Sequence, residues 1–356
     1  MALYIKGMGA ISPQKTWDDG NTLSQVYDQA GDRLTCTEPD YAHWLDARQL
    51  RRMSRVLKMG TTAAFMALKE AGVAKPDAII TGTGYGCLDD TGIFLNKLIE
   101  NNEQALNPTP FIQSTHNTIG SQIALLQGCQ GYNNTFVQGA FSFENAVLDA
   151  MLLLGESPDQ NVLIGGVDET TDVSHTLLKR FRVFRKGLRS TLNLFKSNGQ
   201  GTINGEGATY LAVGSKPGAH DIACIEGVSM FYKAGASTLK LGLERFLEGH
   251  QLKASDIDFV LLGRSGDASS DEVLNDVQRE LFPTSSVGLF KHLCGEYPVA
   301  SAFAVWLAGR ILQDRHVPEA VIYKDSSKPL RNILVFNQYF GTHYSAMLLR
   351  SCRGTL

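Results

Sequence analysis

Short β-branched runs and helix-period stretches alternate along this chain twice over in the same order, and that double rhythm is the strongest limit on what it can fold into. In the first half, residues 3–8 read as a strand, 49–71 as a long helix with Met53, Leu57, Ala64 and Leu68 on one face, and 78–81 as a strand entering a glycine-rich turn. A helix at 118–127, a strand at 135–138, an apolar helix at 141–154 and strands at 162–165 and 209–213 follow. The second half reads strand 222–230, helix 237–247, strand 259–262, helix 271–281, strand 287–289, helix 299–312 and a closing hairpin at 333–336 and 344–349. This order predicts an α/β fold built by duplication, with one half at 1–215 and the other at 216–356, two sheets stacked with buried helices between them. The repeat lies in the pattern and not in residue identity. Residues 179–205 read as an irregular insertion whose core, KRFRVFRKGLR, is the only charge block in the chain.

A chain of 356 residues, 43% hydrophobic and 19% charged, has the apolar content to fill such an interior and is neither disordered nor nucleic-acid-like. Its formal charge of −3 points to no polyanionic partner. Lys6 and the glycines around it break the first apolar run, and no later stretch reaches the roughly 18 uninterrupted apolar residues of a membrane span. A cytoplasmic protein with no membrane or nucleic-acid partner is expected. The six cysteines, Cys36, Cys87, Cys129, Cys224, Cys294 and Cys352, include no CxxC pair, so reduced thiols are expected, with no metal site and no cofactor.

Glycine-rich segments add specificity. KGMGAISP at residues 6–13, GTGYG at 82–86, GGVDE at 165–169 and GEGA at 205–208 are each generic turn chemistry alone. Taken in order, and joined by KHLCGEYPVASA from Lys291 and NQYFGTHYSAMLL from Asn337, they resemble the β-ketoacyl-acyl-carrier-protein synthases over nearly the whole chain. The resemblance implies a thiolase-like, duplicated α-β-α-β-α architecture of five layers. It also implies a chemistry of three groups: a cysteine at a helix N-terminus that takes the acyl chain as a thioester, and two histidines that assist malonyl decarboxylation and stabilise the developing charge.

All three positions are changed. In NTFVQGAFSFENAV the nucleophile's place falls on Phe141, which forms no thioester; in FVLLGRSGDASSDE the first histidine's place falls on Gly263 or Arg264; after the glycine of KHLCGEY the second falls on Glu296. A carboxylate at Glu296 would repel an anionic intermediate. Condensing-enzyme subunits with an intact fold and no nucleophile are chain-length factors, and this sequence resembles that class, in particular the shorter subunits of aryl-polyene and flexirubin-type pathways. The resemblance therefore implies a non-catalytic partner of an active ketosynthase, forming a heterodimer that elongates chains carried on an acyl carrier protein.

His116, Phe141, Phe340 and His343 are the pocket-lining candidates on this reading, and Glu144, inside an apolar helix, should have a hydrogen-bond partner, within the chain or across an interface. Acyl carrier proteins are acidic, so Arg182, Arg185 and Lys186 of the basic insertion are candidates for carrier docking, set against the plainer alternative of a solvated loop. The strand around 134–138 is expected to pair with a partner subunit. A competing expectation is an active acyltransferase with a rearranged site built from Cys294, His116 or His343.

Overall fold

The computed structural model describes residues 1–17, 22–196, 199–325 and 328–352. Residues 197–198 of the insertion and 353–356 of the second half lie outside them. In the first half the strands are β1 (Leu3–Ile11), β2 (Ala78–Gly82), β3 (Asn133–Phe136), β4 (Val162–Asp168) and β5 (Gly207–Gly214). In the second they are β6 (Ala223–Tyr232), β7 (Phe259–Gly263), β8 (Ser286–Leu289), β9 (Ile322–Lys324), β10 (Asn332–Tyr339) and β11 (His343–Arg350). The helices are α1 (Ala47–Leu50), α2 (Arg55–Ala71), α3 (Leu88–Glu100), α4 (Pro108–Gln113), α5 (Thr118–Gln127), α6 (Ser142–Glu156), α7 (Asp172–Arg180), α8 (Ala236–Gly249), α9 (Ala268–Leu281), α10 (Lys291–Cys294) and α11 (Ala300–Asp314).

The strand order is β3-β2-β4-β5-β1-β6-β11-β10-β7-β8-β9. Setting β9 aside, each half places its third strand outermost, then its second, fourth, fifth and first. The directions repeat as well: β3, β2 and β4 run parallel and β5 and β1 antiparallel, just as β8, β7 and β10 run parallel and β11 and β6 antiparallel. The duplication expected from the sequence is thus present in strand order. The two half-sheets are not separate, however. They join edge to edge through Leu3–Ile225, Tyr4–Cys224 and Ile5–Ala223, so one continuous sheet folds over on itself.

Three apolar cores fill the spaces this creates. Helices α6 and α11 pack against strands of both half-sheets and form the central core, α2 and α5 cover the outer face of the first half, and α8 and α9 cover the outer face of the second. The sequence sorts the helices this way. In α11 the run AFAVWLAG is apolar on every side and entirely buried, which suits only a helix with sheet on both flanks, whereas α8 buries just Leu239, Leu243 and Leu247, one outer stripe.

Three expectations needed adjustment. The helix expected at 49–71 is two, because Asp46 and Gln49 close a capping box on α1 and extended Ser54 starts α2 afresh. The strand expected at 135–138 runs Asn133–Phe136, the chain turning next through Gly139, whose φ of +56° suits a residue without a side chain. Helices α3, α4 and α7 were not expected.

Candidate functional site

Around the β3–α6 turn the chain brings together the position where the resemblance expects a nucleophile and the β10–β11 hairpin. Residues Gly139–Phe141 make one 3₁₀ turn that runs straight into α6, so Phe141 stands at a helix N-terminus, where the dipole would favour a thiolate. Its benzyl group has no use for that field. The ring packs edge-on against His343, centroids 4.8 Å apart, and His343 packs in turn against Tyr232 at 5.0 Å. The His343 Nδ1 lies 2.9 Å from the Thr342 hydroxyl, and Asn145 donates to the Phe141 carbonyl at 2.8 Å. Burial, reinforced by Lys233, pushes the His343 imidazole below its usual range, towards the neutral form.

Neither candidate for the first histidine supplies an imidazole. Gly263 ends β7 against Asn337: a Cβ there would fall 2.1 Å from Asn337 Oδ1. Arg264 stacks its guanidinium between Phe195 and Tyr323, 5.5 and 5.2 Å from the ring centroids, with Nε 3.7 Å from Asp271. It lines a cleft of about 440 Å³ beside α9, apart from the Phe141 cluster.

At the second histidine position, Glu296 is buried, but it is not the isolated anion expected from the sequence. Lys291, itself fully buried, donates to both of its oxygens at 2.7 and 2.9 Å and also to the Gln338 carbonyl. Burial raises the Glu296 carboxyl to about 7, against the pull of Lys291 in the other direction. The repulsion argument fails because the cation sits five residues away on α10, one turn before Gly295, whose left-handed φ of +79° brings the chain back.

Two more groups complete the interior. Asp168 accepts through one oxygen from the Thr83 hydroxyl and from the Gly84 and Tyr85 amides at 2.8–2.9 Å, tying β4 to the loop after β2. The Tyr85 and Tyr339 hydroxyls lie 3.1 Å apart. Sequence reasoning missed this tyrosine pair, since the two residues are 254 positions apart and neither belongs to a catalytic motif.

Of the pocket-lining candidates, Phe141 and His343 touch, and Phe340 reaches them through Tyr339, 4.5 Å from its ring. Phe340 also lines a cleft of about 270 Å³ with Arg182, Thr202, Ser265 and Ser270. His116 is exposed and lies over Gly86, next to Tyr85. Glu144 has its expected partner, but within the chain and not across an interface, since the Ser345 hydroxyl donates to it at 2.7 Å. Cys294 is wholly buried, and desolvation pushes its thiol far up, which disfavours a thiolate at that position. Arg185, a docking candidate, is buried as well, donating to the Leu194 and Gly266 carbonyls; it clamps the insertion onto the β7–α9 loop and is not displayed to a partner. Arg182 and Lys186 are exposed.

Glu144, Asp168 and Glu169 are each raised to about 7 by burial. A folded protein that holds these protons where the unfolded chain has released them loses stability as pH rises. The thermal midpoint is therefore expected to fall from about pH 5 to about pH 8, and Glu144→Gln to flatten the fall. Asp267, lowered to about 2 by hydrogen bonds that outweigh its burial, acts in the opposite sense only in acid. Scanning calorimetry across that range checks the sign; a rising midpoint would refute it.

Residues 24–192 match the family described as "Beta-ketoacyl synthase, N-terminal domain". No curated protein sequence matches the chain. Among solved structures, the ishigamide ketosynthase/chain length factor is similar at a TM-score of 0.80 and 17% identity, with 98% of this chain and 99% of that one covered. A β-ketoacyl synthase from Burkholderia phymatum STM815 gives 0.78 and 15%, covering 99% and 100%. A ketosynthase in complex with its chain length factor from Xenorhabdus doucetiae gives 0.75 and 16%, covering 99% and 98%. At these identities the likeness establishes the mixed α/β, thiolase-like fold of ketosynthases. No helix among the described residues is long and apolar enough to cross a membrane.

Proposed function

We propose, from the likeness in fold to ketosynthase structures and the match of residues 24–192 to the β-ketoacyl synthase N-terminal domain, that the chain is a non-catalytic, chain-length-factor-like subunit. It pairs with an active ketosynthase in decarboxylative elongation of chains held on an acyl carrier protein, of the aryl-polyene or flexirubin type. The observation that carries this reading is Phe141, a ring packed on His343 at the N-terminus of α6 where an acyl-accepting thiol would have to stand.

The pairing surface is the open edge of the sheet. β3 is the last strand at this edge and is only partly covered; at the other edge stands β9, three residues long and exposed throughout. Beside it Leu125, Tyr132, Val137, Leu148 and Leu152 are exposed. Tyr132 donates to Asp149 of α6, which fixes that helix alongside the edge. An uncapped strand flanked by apolar side chains invites strand pairing with a second subunit.

Leu152 is 62% exposed, so Leu152→Asp should leave the fold intact and disrupt assembly. Co-expressed with an active ketosynthase from its own host, the protein is expected to co-elute on size exclusion, and the variant to separate. Elution of the unaltered protein as a lone monomer beside that ketosynthase would sink the reading.

A further inference from the structure

Arg264 stands apart from the Phe141 cluster, in surroundings that suit a binding group. Its guanidinium carbon lies over the rings of Phe195 and Tyr323, 5.5 and 5.2 Å from their centroids. Among the described residues no hydrogen bond engages any guanidinium nitrogen, and Nε is sealed from solvent without a partner. The nearest carboxylate, Asp271, is 3.7 Å away and already satisfied: one oxygen accepts from the Ser265 amide and hydroxyl and from Gln338, the other from the Gly266 amide. The two terminal nitrogens are neither sealed nor bonded, so they are the atoms that Arg264 offers to the cleft of about 440 Å³ that it lines. A cation only 14% exposed, with no hydrogen-bonded counter-ion, is costly to hold unless the cleft receives one.

The walls limit what that counter-ion is. Carboxylates and phosphates both match the fork of a guanidinium. Glu272 is exposed on the same wall and Arg279 is already paired with Asp276, so the local field opposes a dianion and accommodates a single negative charge. A carboxylate bonded to both terminal nitrogens lies in the guanidinium plane, and a flat body attached to it continues alongside the two rings. Leu194, Leu262 and Ala268 give that body an apolar wall. The volume falls within the range of small-molecule pockets, about 300–1,000 Å³.

We propose that this cleft, between α9, the end of the insertion and β9, binds a small, flat monocarboxylate, an aromatic or conjugated acid. Arg264 holds the carboxylate, and Phe195 and Tyr323 flank the apolar body. Tyr323 stands on β9, at the opposite end of the strand order from β3, so the cleft and the pairing edge use different elements. The site stands independently of the chain-length-factor reading.

The test titrates trans-cinnamate onto the purified full chain by saturation-transfer NMR, with cinnamamide as its uncharged counterpart and inorganic phosphate as a competing oxyanion at equal ionic strength. A dissociation constant on the order of 0.1–1 mM is expected for cinnamate, binding weaker by about tenfold or more for cinnamamide, and no displacement by phosphate. Arg264→Met keeps an apolar stem beside the rings and removes the fork, and should weaken cinnamate by about tenfold or more. Tyr323→Ala removes one ring from an exposed strand and should weaken it by about threefold or more. Both variants should keep the elution volume and circular dichroism of the parent; if Arg264→Met does not fold, Tyr323→Ala decides. Cinnamate that fails to saturate by about 10 mM, or that binds the variants as it binds the parent, overturns the site. Displacement of cinnamate by an equal concentration of phosphate overturns the flat monocarboxylate in favour of a general oxyanion pocket.

Discussion

Purified Phe141→Cys protein is expected to show no malonyl-dependent chain elongation. The substitution would set a thiol at the N-terminus of α6, where the helix dipole favours the thiolate, so slow acylation or alkylation of Cys-bearing protein is compatible with the structure. Decarboxylation and condensation need more than a nucleophile: groups that withdraw charge from the carbonyl and steady the enolate contribute factors of about 10² to 10³ each. On the alignment above the first such position falls on Gly263 or Arg264, neither of them an imidazole, and the second on a carboxylate already engaged by Lys291. Adding Glu296→His to Phe141→Cys would strand Lys291 without its counter-ion, so the double variant should be less stable and no more active. Turnover by Phe141→Cys comparable to that of a true synthase, in an assay with malonyl carrier protein, would refute the non-catalytic reading.

Lys291→Met is expected to be among the most destabilising single changes in the molecule. Lys291 and Glu296 are both buried, and removing the cation leaves an unpaired carboxylate and an unmet Gln338 carbonyl in the interior, a loss of ~3–5 kcal/mol. The double change Lys291→Met/Glu296→Leu removes both charges and should recover most of that loss, since a buried ion pair and an apolar pair of similar volume are close in free energy. The single variant has a pH signature too. With Lys291 gone, burial and the charge of Asp271 both act to raise Glu296, and it can relieve its charge by taking up a proton, so the deficit should shrink towards pH 5 and grow towards pH 8. Denaturant midpoints for the three proteins at both ends of that range check the pair. A Lys291→Met protein as stable as the parent at pH 8 would mean that the ion pair does not hold the α10–α11 turn.

The same turn shows where reading residues in order succeeds and where it stops. The glycine segments, the position of Phe141 and the duplicated alternation were legible because each is a local pattern: a turn needs particular residues, a helix has a 3.6-residue period, and a nucleophile needs a particular side chain at one place. Glu296 was identified in the same way. Its charge state was not, because that depends on which groups surround it in a region of low dielectric, and Lys291, though close in sequence, meets it across Gly295, whose positive φ of +79° with an extended ψ suits glycine. Asp46 and Ser54 split one apolar period into α1 and α2 by capping, which periodicity alone does not register.

Sequence by itself determined the fold class and the alternation of the main strands and helices in each half, though not α3, α4 and α7. Tertiary structure alone decided the rest. It joined the half-sheets through β1 and β6, placed Tyr339 against Tyr85 and Phe141 against His343, buried Arg185 while leaving Arg182 outside, and turned the apolar stripe of α7 to solvent. The physical reason is the range of the forces involved. Turn and helix propensities act within a few residues and are written in the order of the chain, whereas desolvation, ion pairing and ring packing depend on neighbours that only the folded chain brings together.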